Sequence, residues 1–168
     1  MIAPIIRPIR ESDIEAFRDA VGIVRAERQY ILPGPPSTLE KTRAFVMGNI
    51  ASGVPHWMVE EHGRLAGWCH IARPSDNEAY RHVGRMWMGL LPESRGRGIG
   101  ETLLRATMDA AWAFGFKRIQ LEVFATNARA IALYRKVGFV DEGVRRQALC
   151  IDGVFIDEAL MAQVQGMP

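Results

Sequence analysis

Ahead of an amphipathic run, the chain sets three glycines on alternate positions in Arg95-Gly96-Arg97-Gly98-Ile99-Gly100. A strand-like run, His82 to Leu91, precedes this turn, and Leu103, Leu104, Thr107, Met108 and Ala111 follow it on one helical face. Strand, glycine turn and helix make a β-loop-α unit, which commits the middle of the chain to an α/β fold. Glycines let the main chain approach a ligand and turn its N–H groups outward, and the helix start adds unsatisfied donors and a positive dipole end. The turn therefore suits an anion such as phosphate, or else it is only a tight strand-to-helix connection. No Gly-Lys-Ser/Thr ending follows, which removes the Walker nucleotide loop, and glycines at 96, 98 and 100 do not fit the GxGxxG dinucleotide spacing.

A chain of 168 residues that is 48% hydrophobic can bury one core without staples, so residues 1–168 are expected to form a single domain. Lys and Arg number 21 against 19 Asp and Glu and are spread along the chain, which argues against nucleic acid and membrane as partners. Cys69 and Cys150 stand far apart without CxxC or Cys/His spacing. They read as two free, buried thiols of a reducing cytoplasm, with no disulfide and no metal site. Met1 to Arg10 carries Pro4, Arg7 and Pro8 and no long apolar run, so neither a signal peptide nor a spanning helix is expected there.

Ile5 to Arg10 reads as an edge strand, where prolines are tolerated. Ser12 with Glu15 is a capping-box pattern for a first helix carrying Ile14, Phe17, Val21 and Val24. Ser37 with Glu40 repeats it before a second helix carrying Phe45, Val46 and Ile50. His56 to Glu61 and Leu65 to Arg73 form a hairpin across His62-Gly63. After the polar stretch Pro74 to Tyr80 come the central strand, the glycine turn with its helix, and a strand at Ile119 to Val123. Asn127 is placed as N-cap and Gly138 as left-handed C-cap of a short helix whose buried side is Ile131, Leu133 and Val137. Val140 to Leu149 and Phe155 to Val164 close the chain as antiparallel strands about Asp152-Gly153, with Met161 and Met167 as edge packing and a frayed tail. The sum is an α/β fold in the order βααβββαβαββ, a mixed, mostly antiparallel sheet of about seven strands with four helices on its two faces.

Two blocks carry a family resemblance. The Arg-x-x-Gly-x-Gly pattern of Arg95 to Gly100 resembles the acetyl-CoA signature of the GNAT acetyltransferases. Asn127 to Phe139 is similar to that family's Asn-x-x-Ala-x-x-Leu-Tyr-x-x-x-Gly-Phe segment and follows in the same order. The match runs from His82 to Met161, and Gly138 to Gly143 with Ile151-Asp152-Gly153 looks like the RimI- and phosphinothricin-acetyltransferase-like members. The resemblance implies a cytoplasmic N-acetyltransferase with acetyl-CoA as co-substrate, an amine-bearing acceptor and no metal, and analogy adds a homodimer.

It also implies roles. Arg95, Gly96, Arg97, Gly98, Ile99 and Gly100 would hold the diphosphate, with both arginines adding charge. Met88, Gly89 and Leu90 of a splayed central strand would meet the pantetheine, a backbone N–H within Trp87 to Leu91 would stabilise the oxyanion, and Asn127 joins the cofactor-binding set. Gly89 marks a close backbone approach or bulge, or mere packing tolerance. Tyr134, on residues alone, is an ordinary helix tyrosine with its hydroxyl in water; by resemblance it lies at the coenzyme sulfur and gives the departing thiolate its proton. A general base must take the proton of the amine. Glu122 and His82 are the candidates, with Glu60 and His70 behind them, although Glu122 equally pairs with an arginine and His82 equally ends a strand. The acceptor pocket is expected from the first two helices with the Arg145 to Leu149 strand opposite, lined by Tyr30, Trp68 and Trp87, which serve as readily as core. The competing classes are a non-catalytic acyl-CoA-binding regulatory domain, opposed by the intact Tyr134, and a nucleotide or sugar-phosphate binder, opposed by the second block.

Overall fold

The computed structural model describes residues 3–166, so Met167 lies outside the described residues. The elements are β1 (Ile5–Pro8), α1 (Ile14–Ala26), α2 (Leu39–Ser52), β2 (His56–Glu61), β3 (Arg64–Ala72), β4 (Val83–Leu90), α3 (Ile99–Phe114), β5 (Arg118–Phe124), α4 (Ala128–Val137), β6 (Val140–Ile151) and β7 (Val154–Val164). The strands form one 7-stranded sheet in the order β1-β2-β3-β4-β5-β7-β6. Every neighbouring pair is antiparallel except β4 and β5. Element order and sheet type are those expected from the sequence.

Local chemistry sets the boundaries. The β2–β3 turn places His62 at φ 51° and Gly63 at φ 74°, and the β6–β7 turn places Asp152 at 53° and Gly153 at 79°, the paired positive values of a two-residue hairpin. Gly138 ends α4 in the left-handed region, and the Asn127 side-chain oxygen caps it by accepting from the Ala130 N–H at 3.2 Å. The Ser12–Glu15 box does not form. Asp13 takes its place, accepting from the Arg10 N–H at 2.7 Å and from the Arg7 guanidinium at 2.7 and 2.8 Å, so a short 3-10 turn precedes α1. The cap of α2 is Thr38 rather than Ser37, with its hydroxyl accepting from the Lys41 N–H at 3.2 Å.

The sheet buries both faces of its first half and one face of its second. On one side Leu103, Leu104, Met108 and Ala111 of α3, with Tyr134 and Val137 of α4, pack on Ile71, Met86, Ile119, Leu121 and Met161. Met161 is wholly buried, because β7 lies inside the sheet between β5 and β6, which corrects the edge-packing expectation. Cys69 is buried as expected, but Cys150, on the outermost strand, is exposed. On the other side Ile14, Phe17 and Val24 of α1 and Val46 of α2 pack on Met58 and Trp68. That pair of helices rests on the β1-to-β3 half, and the same face from β4 to β6 carries arginines and glutamates instead of a second layer.

Candidate active site

The single parallel pair is joined only briefly, Val83 to Arg85 against Arg118 to Gln120, and beyond it β4 and β5 part toward their carboxyl ends. Strand residues direct N–H and C=O alternately to either side. The Leu91 N–H donates to the Ala66 carbonyl at 2.9 Å, in a β3–β4 register that sets Gly89 opposite Trp68 and Trp87 opposite His70. By that alternation Trp87, Gly89 and Leu91 address β3, while Met88 and Leu90 address the opening. Gly89 is no bulge, since the register runs unbroken, and a Cβ there would collide with the Trp68 indole. Packing accounts for Gly89; the main-chain donors at the opening belong to Met88 and Leu90.

From this opening a cavity of about 1170 Å³ extends to the start of α3 in one direction and under α1 and α2 in the other. At the α3 end Gly96 and Gly98 take φ of 83° and 81°, values that suit glycine and turn successive N–H groups to one side. Glu101 and Thr102 donate to the Gly98 carbonyl, but the N–H groups of residues 96–100 find no main-chain or side-chain acceptor among the described residues. A Cβ on Gly98 would stand in open space; one on Gly100 would come within 3.1 Å of Leu90, so the third glycine seats the helix against β4. Main-chain donors left free at a helix N-terminus suit an anion.

Each arginine of the turn is paired with a carboxylate. The Arg95 guanidinium is held by the Glu27 carboxylate at 2.6 and 2.7 Å and by the Leu90 carbonyl at 2.8 and 2.9 Å, and it stacks 4.7 Å from the Tyr30 ring. Its ion pair with Glu27 raises its pKa further and spends the cation on clamping the segment after α1 to the end of β4. Arg97 reaches the opposite way, to Glu61 at 2.6 Å, where the Ser94 hydroxyl also donates at 2.7 Å. Both guanidiniums are thus paired within the chain, and the part of the turn left without a partner is its main chain. The guanidinium over the turn is Arg129, with Nη2 only 2.9 Å from where a Gly96 Cβ would stand, and Lys136 lines the same end while paired with Glu101 at 2.5 Å. Sequence reasoning missed both, although each lies in the block that begins at Asn127.

Tyr134 is buried in the wall beneath the opening and lines the cavity. Burial raises the pKa of its phenol, the nearby Cys69 adds to the effect, and its hydroxyl makes no hydrogen bond with the described residues. Asn127 spends its side-chain oxygen on capping α4 and its N–H on the Phe124 carbonyl at 2.8 Å. Glu122 lines the cavity between Arg85, at 2.8 Å, and Arg145, at 3.7 Å; Arg145 also reaches Glu158 at 3.5 Å. The arginine pairing anticipated as the bland reading of Glu122 is thus present at the cavity itself. His82 is elsewhere. It is exposed at the amino end of β4, where its carbonyl accepts from the N–H groups of Lys117 and Arg118 at 2.8 and 3.1 Å, so the structure removes it from the acceptor cleft. Glu60 is engaged by Arg7 at 3.1 Å, outside the cavity. His70 does line it, as do Tyr30, Trp68 and Trp87. No cluster of three or more His, Cys, Asp or Glu able to hold a metal occurs among the described residues, nor any helix long and apolar enough to cross a membrane.

An anion cradle, a slot with main-chain donors and a phenol holding its proton are the parts an acyl transfer from a thioester with a phosphate-bearing handle requires. Comparison with known proteins agrees. The Acetyltransferase (GNAT) family model matches residues 23–139. The N-alpha-acetyltransferase RimI of Mycobacterium tuberculosis is 31% identical over 137 residues, covering 81% of this chain and 78% of that protein. A mycothiol acetyltransferase of Clavibacter michiganensis is 39% identical over 82 residues, covering 49% of this chain but only 25% of the relative, and a Bacillus subtilis relative is covered over 58% of its length. Among solved structures, a phosphinothricin acetyltransferase from Sinorhizobium meliloti in complex with acetyl-CoA superposes with a TM-score of 0.91 at 21% identity, covering 97% of this chain and 89% of that one; this likeness concerns the fold. The chain belongs to the GNAT acetyltransferase family.

Proposed function

We propose that the protein transfers the acetyl group of acetyl-CoA to an amine of an acceptor molecule. The observation that carries this reading is the continuity of the free amides at 96–100 with a slot between β4 and β5 into which Tyr134 presents an unpartnered hydroxyl. Acetyl-CoA supplies an activated acyl carbon, whose attack by an amine places negative charge first on the carbonyl oxygen and then on sulfur. Met88, through its N–H, faces the first charge. Tyr134 holds the proton that the second requires, and its raised pKa means that the phenol is protonated. Glu122, on the acceptor side of the opening, is the carboxylate that receives the proton of the amine, with Arg85 and Arg145 fixing its orientation.

A spectrophotometric assay of thiol release over a panel of amines tests this. Release that depends on both acetyl-CoA and an amine is expected, and none from any amine would contradict it. One feature favours a second reading, an acyl-CoA-binding regulatory domain: Glu122 is already neutralised by two arginines. Tight coenzyme binding without release would select that alternative.

A cytoplasmic homodimer belongs to the same proposal. Its support is β6, an edge strand exposed from Val140 to Ala148, flanked by the exposed apolar side chains Val140, Val144, Val154 and Phe155. A long, uncovered edge of this kind invites pairing with a second copy. Sedimentation equilibrium should find twice the chain mass; a monomer at all concentrations would contradict it.

A further inference from the structure

Two imidazoles, His56 buried and His70 half-buried, lie side by side at the floor of the acceptor end, and neither takes part in the chemistry above. His56 and His70 are directly opposite on β2 and β3, with ring centroids 5.2 Å apart and planes tilted by 47°. Asn49 of α2, also buried, donates its side-chain amide to His56 Nδ1 at 3.1 Å. A ring nitrogen that accepts carries no proton, so neutral His56 holds its proton on Nε2. Burial, aided by the neighbouring His70, pulls the His56 pKa down to about 3, and burial alone pulls His70 to about 4, so both rings are neutral. His56 Nε2 and His70 Nδ1 are buried polar atoms without a partner among the described residues. The two atoms do not bond each other directly; one water accepting from His56 Nε2–H and donating to His70 Nδ1 would satisfy both. With Nδ1 accepting, His70 keeps its proton on Nε2, the nitrogen it presents to the cavity it lines.

The position of His70 says what that proton meets. The Trp87 indole is sandwiched, with the His70 ring stacked on it at 4.9 Å and 18°, and the Arg85 guanidinium also 4.9 Å from its centroid. In the order β3-β4-β5 Trp87 therefore stands between His70 and the opening, and His70 faces the acceptor rather than the thioester. Lys41 and Arg73 line the same region, while the carboxylates of the cavity, Glu101, Glu122 and Glu158, are each paired with a cation. Among the described residues the cavity thus offers cationic donors, while its carboxylates are paired.

We infer that His70 is a specificity-determining residue: a neutral Nε2–H donor, its tautomer fixed by Asn49 and His56, that hydrogen-bonds a carbonyl or carboxylate oxygen carried by the amine acceptor. It is not the general base, because the nitrogen it offers already bears a proton. The identity of the second ligand rests on the acetyl-transfer reading; the tautomer does not.

The test uses the full chain. Imidazole ¹⁵N shifts of labelled protein at pH 7 should show His70 as the Nε2–H tautomer, and an Nδ1–H signal would overturn the inference. In the kinetic arm L-alanine, L-alaninamide and isopropylamine share the amine and differ in carrying a carboxylate, a carbonyl or no oxygen. The oxygen-bearing amines should be used about tenfold better than isopropylamine, mainly through KM. His70→Phe should erase the difference, His70→Gln, whose amide reaches the Nε2 position, should restore it, and His70→Asn should not. Preference for L-alanine over L-alaninamide would point to a free acid, and the reverse to a peptide-like acceptor. Equal use of isopropylamine, or a preference that survives His70→Phe, overturns the inference. No thiol release from any amine, with acetyl-CoA still bound, counts against the transfer reading instead, and the ¹⁵N tautomer then decides His70 alone.

Discussion

The hydroxyl of Tyr134 stays protonated at any pH the protein will meet, because burial, and secondarily Cys69, make its phenolate costly. Tyr134→Phe removes the proton and little else, since the ring still packs near Phe139. Turnover should fall about a hundredfold, with the acetyl-CoA dissociation constant unchanged within about twofold; stopped-flow and calorimetry measure the two, and equal turnover would reassign the acid. Glu122→Gln keeps the size of the side chain but leaves Arg85 and Arg145 without their shared anion. Transfer should slow by about a hundredfold, with no change in coenzyme affinity. A variant as active as the parent would move the base elsewhere on the cavity wall. Cys69 is a bystander: burial pushes its pKa up to about 12, leaving a thiol inert at neutral pH.

The turn before α3 works as an element, not as a set of side chains. Gly98 at φ 81° serves as the helix N-cap, and open space lies where its Cβ would be. Gly98→Val combines two penalties, about 1–2 kcal/mol for a β-branched residue in the left-handed region and a side chain standing where the free amides converge. Coenzyme affinity should drop by about tenfold or more, measured by calorimetry, while far-ultraviolet dichroism remains that of the parent; normal affinity would take the turn out of the site. The turn, its helix and the block from Asn127 were legible because glycine spacing, apolar periodicity and caps are local signals. The partners of Arg95 and Arg97 were not, because Glu27 lies 68 and Glu61 36 positions away, and only the packing of α1 and the hairpin against the end of β4 brings them in. Parity along β4 was likewise hidden. Which of Met88 and Gly89 faces the opening depends on the pairing of Leu91 with Ala66, a fact of register rather than of composition.

For the molecule as a whole, two neutral histidines in the α1–α2 core tie stability to pH. His56 and His70 are held near 3 and 4, whereas in the unfolded chain they titrate near 6.5. Below that value the unfolded state binds more protons, so stability falls as pH drops through 6 toward 4, by at most about 1.4 kcal/mol per pH unit for each ring. Urea midpoints at pH 7, 6 and 5 should decline, and His70→Gln should decline less steeply; parallel slopes would free His70 of the effect. His82, by contrast, lies at the amino end of its strand, as the sequence had it, whereas the sheet opens at the carboxyl end, which only the short β4–β5 pairing reveals.

The most direct measurement is a crystal structure with acetyl-CoA bound. The diphosphate oxygens should lie within hydrogen-bonding distance of the main-chain nitrogens of residues 96–100, with Arg129 beside them and the sulfur near the Tyr134 hydroxyl. A diphosphate held by Arg95 and Arg97 side chains, or lodged away from the α3 N-terminus with those amides bonded within the chain, would contradict it.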